Sequence, residues 1–229
     1  MPSPSARPAV VFDLDGTLAD TIDIIQDEIV AAIRRFGHDV QPAAVRRLIG
    51  RPLGVTLTTL TGIEDEKTLA EISADYYPHY AAATERRAGD LLFPGVVGLL
   101  QRLRSEGYAI GVITAKITSE AEHLLEHVDI RHLVDVLVAT DRVEHGKPAP
   151  DSALLALREL DAEAASSWYV GDAVGDMQMA RAAGMPALGI TTGVGSRTEL
   201  EPFADAVVDS VDEIHGVVTR AVAREGAAN

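Results

Sequence analysis

The stretch "VVFDLDGTLADT", Val10 to Thr21, decides how the rest of the chain is read. An apolar run, Val10-Val11-Phe12, ends on two aspartates one residue apart. Side chains alternate with period two in a β-strand, so Asp13 and Asp15 are expected to face the same side. Two crowded carboxylates repel unless positive charge lies between them, and a hard divalent cation meets that need. Gly16 and Thr17 supply the turn expected where a buried strand gives way to a functional loop.

Working outward, Asp20 or Thr21 can cap a helix whose apolar residues Ile22, Ile25, Ile29, Ile33 and Phe36 recur at helical spacing, with Gly37 as its stop. Pro42 opens a short helix that Gly50-Arg51-Pro52 interrupts, and "EDEKTLAEISADYYPHYAAATERR" reads as further helix, broken or bent near Pro78. Tyr76, Tyr77 and Tyr80 sit at near-helical spacing and read as packing within this helical region. Nothing from Ala19 to about Arg87 reads as a buried strand.

From "LLFPGVVGLL" onward, short apolar runs alternate with helices, the pattern of βα units and a parallel sheet. Strands are expected at Ala109 to Thr114, Val136 to Thr140, Trp168 to Gly171 and Ala187 to Thr191. Helices are expected near Val96 to Ser105, Thr118 to His127, Asp151 to Leu160 and Gly175 to Ala183, with Gly107 and Gly184 as helix ends. The implied fold is α/β: a Rossmann-like parallel sheet with helices on both faces, made of residues 1–18 and 89–229, plus an all-helical cap domain inserted at residues 19–88. Only the Pro/Ser-rich start and the "EGAAN" end look of low complexity.

Composition bounds the function. A chain of 229 residues with 47% hydrophobic residues can build a sizeable core. The formal net charge of -15 argues against a nucleic-acid backbone as partner, so any phosphate must be met locally. Lysine is scarce (Lys67, Lys116 and Lys147), which makes each one worth locating. The absence of cysteine excludes disulfides and thiolate zinc sites but leaves oxygen-ligand metals open. No apolar run reaches about 18 residues, and the start is too short in apolar residues for a signal-peptide core, so the expectation is a cytoplasmic protein without a membrane partner.

In an open parallel sheet, ligands bind beyond the carboxyl ends of the strands. The residues there are Asp13 and Asp15, Thr114, Lys147 in "HGKPAPD", and Asp172 with Asp176 in "WYVGDAVGDM". Singly, each has an ordinary structural use as turn residue, helix cap or solvated charge. Their shared location at one sheet edge is what singles them out. The G-x-G of "TTGVGSRTEL" follows a late strand and lacks the third glycine of a dinucleotide fingerprint, so it reads as a tight loop at the edge of the site.

Four segments, "DLDGTLADT", "VITAK", "GKPAPD" and "GDAVGD", resemble the four motifs of the haloacid dehalogenase superfamily in its phosphatase branch, in order and spacing over nearly the full chain. The helical insert resembles the cap of the phosphoglycolate phosphatase-like and β-phosphoglucomutase-like groups. The resemblance implies a phosphomonoester hydrolase acting on a small phosphorylated metabolite, most like phosphoglycolate. Asp13 would be the nucleophile that becomes an aspartyl-phosphate, and Asp15 the general acid and base. Mg²⁺ would be held by an Asp13 carboxylate oxygen, the Asp15 backbone carbonyl and Asp172, with Asp176 holding a metal-bound water or Lys147. Thr114 and nearby backbone N–H groups at a helix start, Ala115 among them, would bind the phosphoryl oxygens, and Lys147 would add a point charge. Many relatives carry asparagine where this chain has Ala115, which removes a side-chain contact and keeps the N–H. Lys116 is then expected to point outward, without a role. Arg51 is the candidate for an anionic leaving group.

Other readings differ in what they require. Hydrolytic dehalogenases of the superfamily lack the second aspartate of the first motif, so Asp15 and Asp172 count against one. A phosphonatase would carry a Schiff-base lysine in the cap, where only Lys67 occurs, in an acidic stretch. A β-phosphoglucomutase-like phosphomutase, or a pyrophosphatase or nucleotide phosphatase, keeps the same residues. A catalytically silent binding protein would have no need of the full set. No motif supports acyl or nucleotidyl transfer. Monomer and homodimer are both compatible with the sequence.

Overall fold

A computed structural model of the chain describes residues 7–226. The Pro/Ser-rich start and the last residues of the "EGAAN" end lie outside the described residues. Strand β1 (Ala9–Phe12) is followed by helices α1 (Ile22–Arg35), α2 (Pro42–Arg46), α3 (Leu53–Thr61) and α4 (Glu66–Glu85). The alternating part then runs α5 (Val96–Ser105), β2 (Ala109–Ile113), α6 (Thr118–His127), β3 (Val136–Val138), α7 (Asp151–Leu160), β4 (Trp168–Gly171), α8 (Val174–Ala182), β5 (Ala187–Ile190), α9 (Arg197–Leu200), β6 (Ala206–Val208) and α10 (Val211–Gly226).

The six strands pair in the order β3-β2-β1-β4-β5-β6, all parallel, with Val10 opposite Ile110 on one side and Trp168 on the other. β1 is buried along its whole length, as expected of a strand covered on both faces. Its side chains alternate between two cores. Val10 and Phe12 join Leu99, Leu100 and Leu103 of α5, Leu124 and Leu125 of α6 and Ile214 of α10. Ala9 and Val11 join Ala153, Ala156 and Leu160 of α7 and Met177, Met179 and Ala180 of α8. The apolar stripe of α1 and the buried residues Ile72, Tyr76 and Tyr80 of α4 extend the first core. The insert between β1 and α5 is thereby welded to the face of the sheet that carries α5 and α6.

Helices α5, α6 and α7 have the bounds expected from the sequence, and Gly37, Gly107 and Gly184 end their helices with positive φ. Three expectations need correction. Helix α4 runs unbroken through Pro78, although the proline removes one ladder donor; Tyr76 and Tyr80 on either side of it are buried and stacked 5.6 Å apart, and that packing outweighs the lost bond. Thr21 stands at the cap position of α1, but its hydroxyl makes no cap bond and is used elsewhere. The sixth strand and α10 were not expected at all.

Candidate active site

β1 lies between β2 and β4, and the chain crosses to opposite sides of it, so its carboxyl end is the topological switch point of the sheet. The strand stops at Phe12. Asp13 is the next residue, buried at 4% exposure, its N–H still bonded to the Val170 carbonyl at 2.8 Å. The Asp13 Oδ1 atom accepts from the Leu14 N–H at 2.7 Å and lies 2.9 Å from the Lys147 ammonium. Both contacts fall on Oδ1.

Lys147 enters from the loop between β3 and α7, and its ammonium is shared with Asp176 Oδ1 at 2.7 Å. Asp176, in the first turn of α8, also accepts from the Tyr169 hydroxyl at 3.0 Å and from the Ala173 N–H at 3.0 Å, so both its oxygens are occupied by protein donors. Gly171 makes room for it: a Cβ there would stand 2.5 Å from the Asp176 carboxyl carbon. Asp172 follows β4 directly. Its Oδ2 accepts from the Val194 N–H at 2.7 Å and its Oδ1 lies 3.3 Å from the Thr17 hydroxyl. The "TTGVG" loop closes on this carboxylate so tightly that a Cβ at Gly193 would fall 1.9 Å from Asp172 Oδ2. The loop expected at the edge of the site is thus at the site, and its two glycines are there for close approach.

Asp13, Asp172 and Asp176 each present an oxygen within 4.8 Å of the others. Burial pushes the Asp13 carboxyl up to about 7 despite the Lys147 ammonium, with the Asp176 and Asp15 charges adding to the rise. Burial, then the Asp13 and Asp176 charges, hold Asp172 well above the usual carboxylate range. Burial disfavours the charge on Lys147, but Asp13 and Asp176 more than offset it and keep the amine protonated. A buried, all-oxygen donor set with more negative than positive charge fits a hard divalent cation. Among the described residues, Asp13 keeps its Oδ2 without a protein donor, and Asp172 meets only the Val194 N–H and, at 3.3 Å, the Thr17 hydroxyl, whereas Asp176 is already paired with the Lys147 ammonium; Asp13 and Asp172 are therefore the carboxylates better placed to hold one.

Asp15 does not join this group. Alternation ends with the strand, so Asp13 and Asp15 border one cleft yet turn to different partners, against the shared orientation expected of a continuing strand. The Asp15 Oδ1 atom accepts from the Thr21 hydroxyl at 2.5 Å and lies 3.4 Å from the Lys116 ammonium. Lys116 is the clearest correction: expected to point outward, it is buried at 7% exposure, donates to Glu120 at 2.8 Å and stands 4.0 Å over the Tyr80 ring. Burial lowers the basicity of Lys116, but Asp15 and Glu120 overcome that and hold it charged. The available signal was the scarcity of lysine together with the four-residue spacing from Lys116 to Glu120.

Thr114 is the first residue past β2, buried, and its hydroxyl accepts the Lys116 N–H at 3.2 Å. Helix α6 begins only at Thr118, so the N–H groups here belong to a loop and not to the helix start that was expected. The N–H groups of Ala115 and Asp15 have no backbone acceptor among the described residues, and both residues line the cleft. The cleft holds about 50 Å³, floored by Asp13, Asp15 and Lys116 and walled by Ile25, Ile29, Ile49, Leu53 and Tyr76 of the insert. Arg51, exposed in the break between α2 and α3, also borders it. Among the described residues no helix is long and apolar enough to cross a membrane.

Comparison with known proteins agrees with this geometry. The profile of the haloacid dehalogenase-like hydrolases matches residues 10–190. A protein of Dickeya dadantii named "Probable phosphatase IndB" is 36% identical over 214 residues, covering 92% of this chain and 93% of its own. A plasmid-borne phosphoglycolate phosphatase of Cupriavidus necator is 34% identical over 223 residues, covering 93% and 94%. Among solved structures, a hydrolase from Pseudomonas syringae superposes with a TM-score of 0.81 at 26% identity, covering 92% of this chain and 97% of that one.

Proposed function

The chain belongs to the haloacid dehalogenase-like hydrolase family, and we propose that it is a Mg²⁺-dependent phosphomonoester hydrolase working through an aspartyl-phosphate on Asp13. The observation that carries this reading is the state of the Asp13 carboxylate. Lys147 and the Leu14 N–H both hold Oδ1, which leaves Oδ2 as the oxygen free to attack. In the first step Oδ2 bonds to phosphorus as the bond to the leaving oxygen breaks, and Asp15 protonates that oxygen. In the second, Asp15 takes a proton from the water that releases phosphate from Asp13. The Ala115 and Asp15 N–H groups meet the phosphoryl oxygens, and the Lys147 charge offsets the crowding of anions. Asp13, Asp172 and the Asp15 carbonyl are the residues that would hold Mg²⁺, which when bound supplies positive charge at the phosphoryl oxygens. Asp176 acts through Lys147.

Residues 19–88 form the cap that selects the leaving group. Since a cavity needs roughly 10–15 Å³ to admit a single water, a cleft of about 50 Å³ favours a compact leaving group. Phosphoglycolate meets that condition, its carboxylate suits Arg51, and phosphoglycolate phosphatases stand among the relatives. The test is phosphate release from phosphoglycolate, sugar phosphates, nucleoside monophosphates and pyrophosphate, each with Mg²⁺ and with chelator. A metal-dependent preference for phosphoglycolate is expected. Metal-dependent activity that favours another ester keeps the reaction and rejects the substrate, and no release from any compound rejects the hydrolase reading.

A further inference from the structure

The reaction just described uses one of the two buried lysines. The other, Lys116, sits on the loop between β2 and α6, and its ammonium has three protein neighbours. It donates to Glu120 Oε1 at 2.8 Å. Asp15 Oδ1 lies 3.4 Å away. The Tyr80 ring centroid lies at 4.0 Å, a cation–π distance. Its hydrogen bond, its ion pair and its ring contact all go to protein groups. Its reach ends at Asp15.

Asp15 Oδ1 is therefore held twice, by the Thr21 hydroxyl and by Lys116, whereas Oδ2 accepts no hydrogen bond among the described residues. We propose that Lys116 is a positioning residue: anchored by Glu120 and the face of Tyr80, it fixes the Asp15 carboxylate by Oδ1 so that Oδ2 carries the proton to the leaving oxygen. The assignment rests on the phosphomonoesterase reading above. The proton passes from Oδ2 to the leaving oxygen as the phosphorus–oxygen bond breaks and the bond to Asp13 forms, and Lys116 stays charged and bonded throughout. The two anchors come from different parts of the molecule, Glu120 from α6 beside the sheet and Tyr80 from α4 of the insert. Seating of the insert is in this way connected to the proton-transfer group through one ammonium.

A test separates positioning from simple support of the fold, because p-nitrophenolate departs without a proton and an alkoxide does not. The variants are Lys116→Met and the double variant Lys116→Met/Glu120→Gln, which removes both charges and avoids stranding the buried Glu120 carboxylate. Each is compared with the full-length wild-type enzyme in Mg²⁺, by the rapid burst of p-nitrophenolate from p-nitrophenyl phosphate and by single-turnover cleavage of phosphoglycolate or the best alkyl ester of the substrate panel. The alkyl ester is expected to slow by more than about tenfold while the burst stays within about twofold. Equal losses on both esters, or no loss on either, overturn the assignment. Absence of metal-dependent phosphate release by the wild-type enzyme from every ester overturns the hydrolase reading, and the role of Lys116 with it.

Discussion

The Lys147 side and the Lys116 side of the cleft are made of the same parts, a buried lysine between two carboxylates, on either side of the turn Asp13-Leu14-Asp15. They end in different electrostatic states. Around Lys147 stand Asp13, Asp176 and, within the same cluster, Asp172, so one ammonium faces three carboxylates and an excess of two negative charges remains if all are ionised. Burial accordingly drives Asp13 up to about 7. Around Lys116 the carboxylates are Asp15 and Glu120, the Thr21 hydroxyl shares Asp15, and Tyr80 covers the ammonium. A further cation of charge two would balance the first arrangement. The second closes on itself, and so can hold a group in place without binding anything.

Removing the proposed nucleophile should break the Lys147 side most severely. Asp13→Asn is expected to lower turnover by more than about a thousandfold. The fold survives, since the change removes a buried charge that burial already disfavours. Phosphate release, with thermal melting and a mass-spectrometric check for deamidation, measures this; near-normal activity in an intact variant rejects Asp13 as nucleophile.

Lys147→Met tests the comparison itself. It strands Asp13 and Asp176 without a counter-charge, a loss of about 3–5 kcal/mol in stability. Mg²⁺ should restore part of that loss, because the cation replaces the missing charge. On the other side, Mg²⁺ should restore nothing to Lys116→Met. Denaturant unfolding of both variants with Mg²⁺ and with chelator gives the answer, and equal recovery of the two removes the distinction between an open and a closed site.

The raised Asp13 carboxyl sets a pH dependence. Between the ordinary value of 3.8 and about 7, the metal-free folded chain keeps a proton that the unfolded chain has released. Its contribution to stability is therefore full below that window, declines as pH rises through it, and changes no further above about 7. Relative to Asp13→Asn, the chelated wild-type protein should lose melting temperature from pH 5 to pH 8. The stabilisation given by Mg²⁺ should grow over the same interval, because the cation needs the ionised carboxylate. A chelated protein that instead gains stability over Asp13→Asn as pH rises contradicts the cost assigned to the buried charge.

What the sequence disclosed follows from how local each feature is. Three helices of the alternating part and the strand Trp168 to Gly171 had their bounds in the apolar pattern, because each is amphipathic or continuously apolar over its own length. β6 did not, since three apolar residues between Asp205 and Asp209 carry no period. Asp13, Lys147, Asp172 and Asp176 stood out because they follow strands in recognisable motifs. Thr21, Tyr80 and the neighbouring pair Lys116 and Glu120 come from three segments that meet only when the insert packs on the sheet, and although Thr21 and Lys116 lie within the motifs, nothing in the motifs announces that contact. Thr21 was read as a cap because its position is one; that its hydroxyl prefers Asp15 depends on a contact the linear pattern does not contain.

Arg51 is a third cation at the cleft and contrasts with both lysines. It is exposed, and it sits where the chain breaks between α2 and α3 in the wall opposite the sheet. An exposed guanidinium gains less from a carboxylate than a buried one because water competes, yet its planar fork still favours a two-point contact. Arg51→Ala should therefore raise KM for phosphoglycolate by about tenfold, equivalent to about 1.4 kcal/mol, and leave p-nitrophenyl phosphate unaffected. Loss shared equally by the two esters would place Arg51 in the support of the insert and leave the choice of leaving group to the apolar wall of Ile25, Ile29, Ile49 and Leu53. That outcome would also favour an uncharged leaving group over glycolate, because Lys116, the other cation that lines the cleft, is already paired with Asp15 and Glu120.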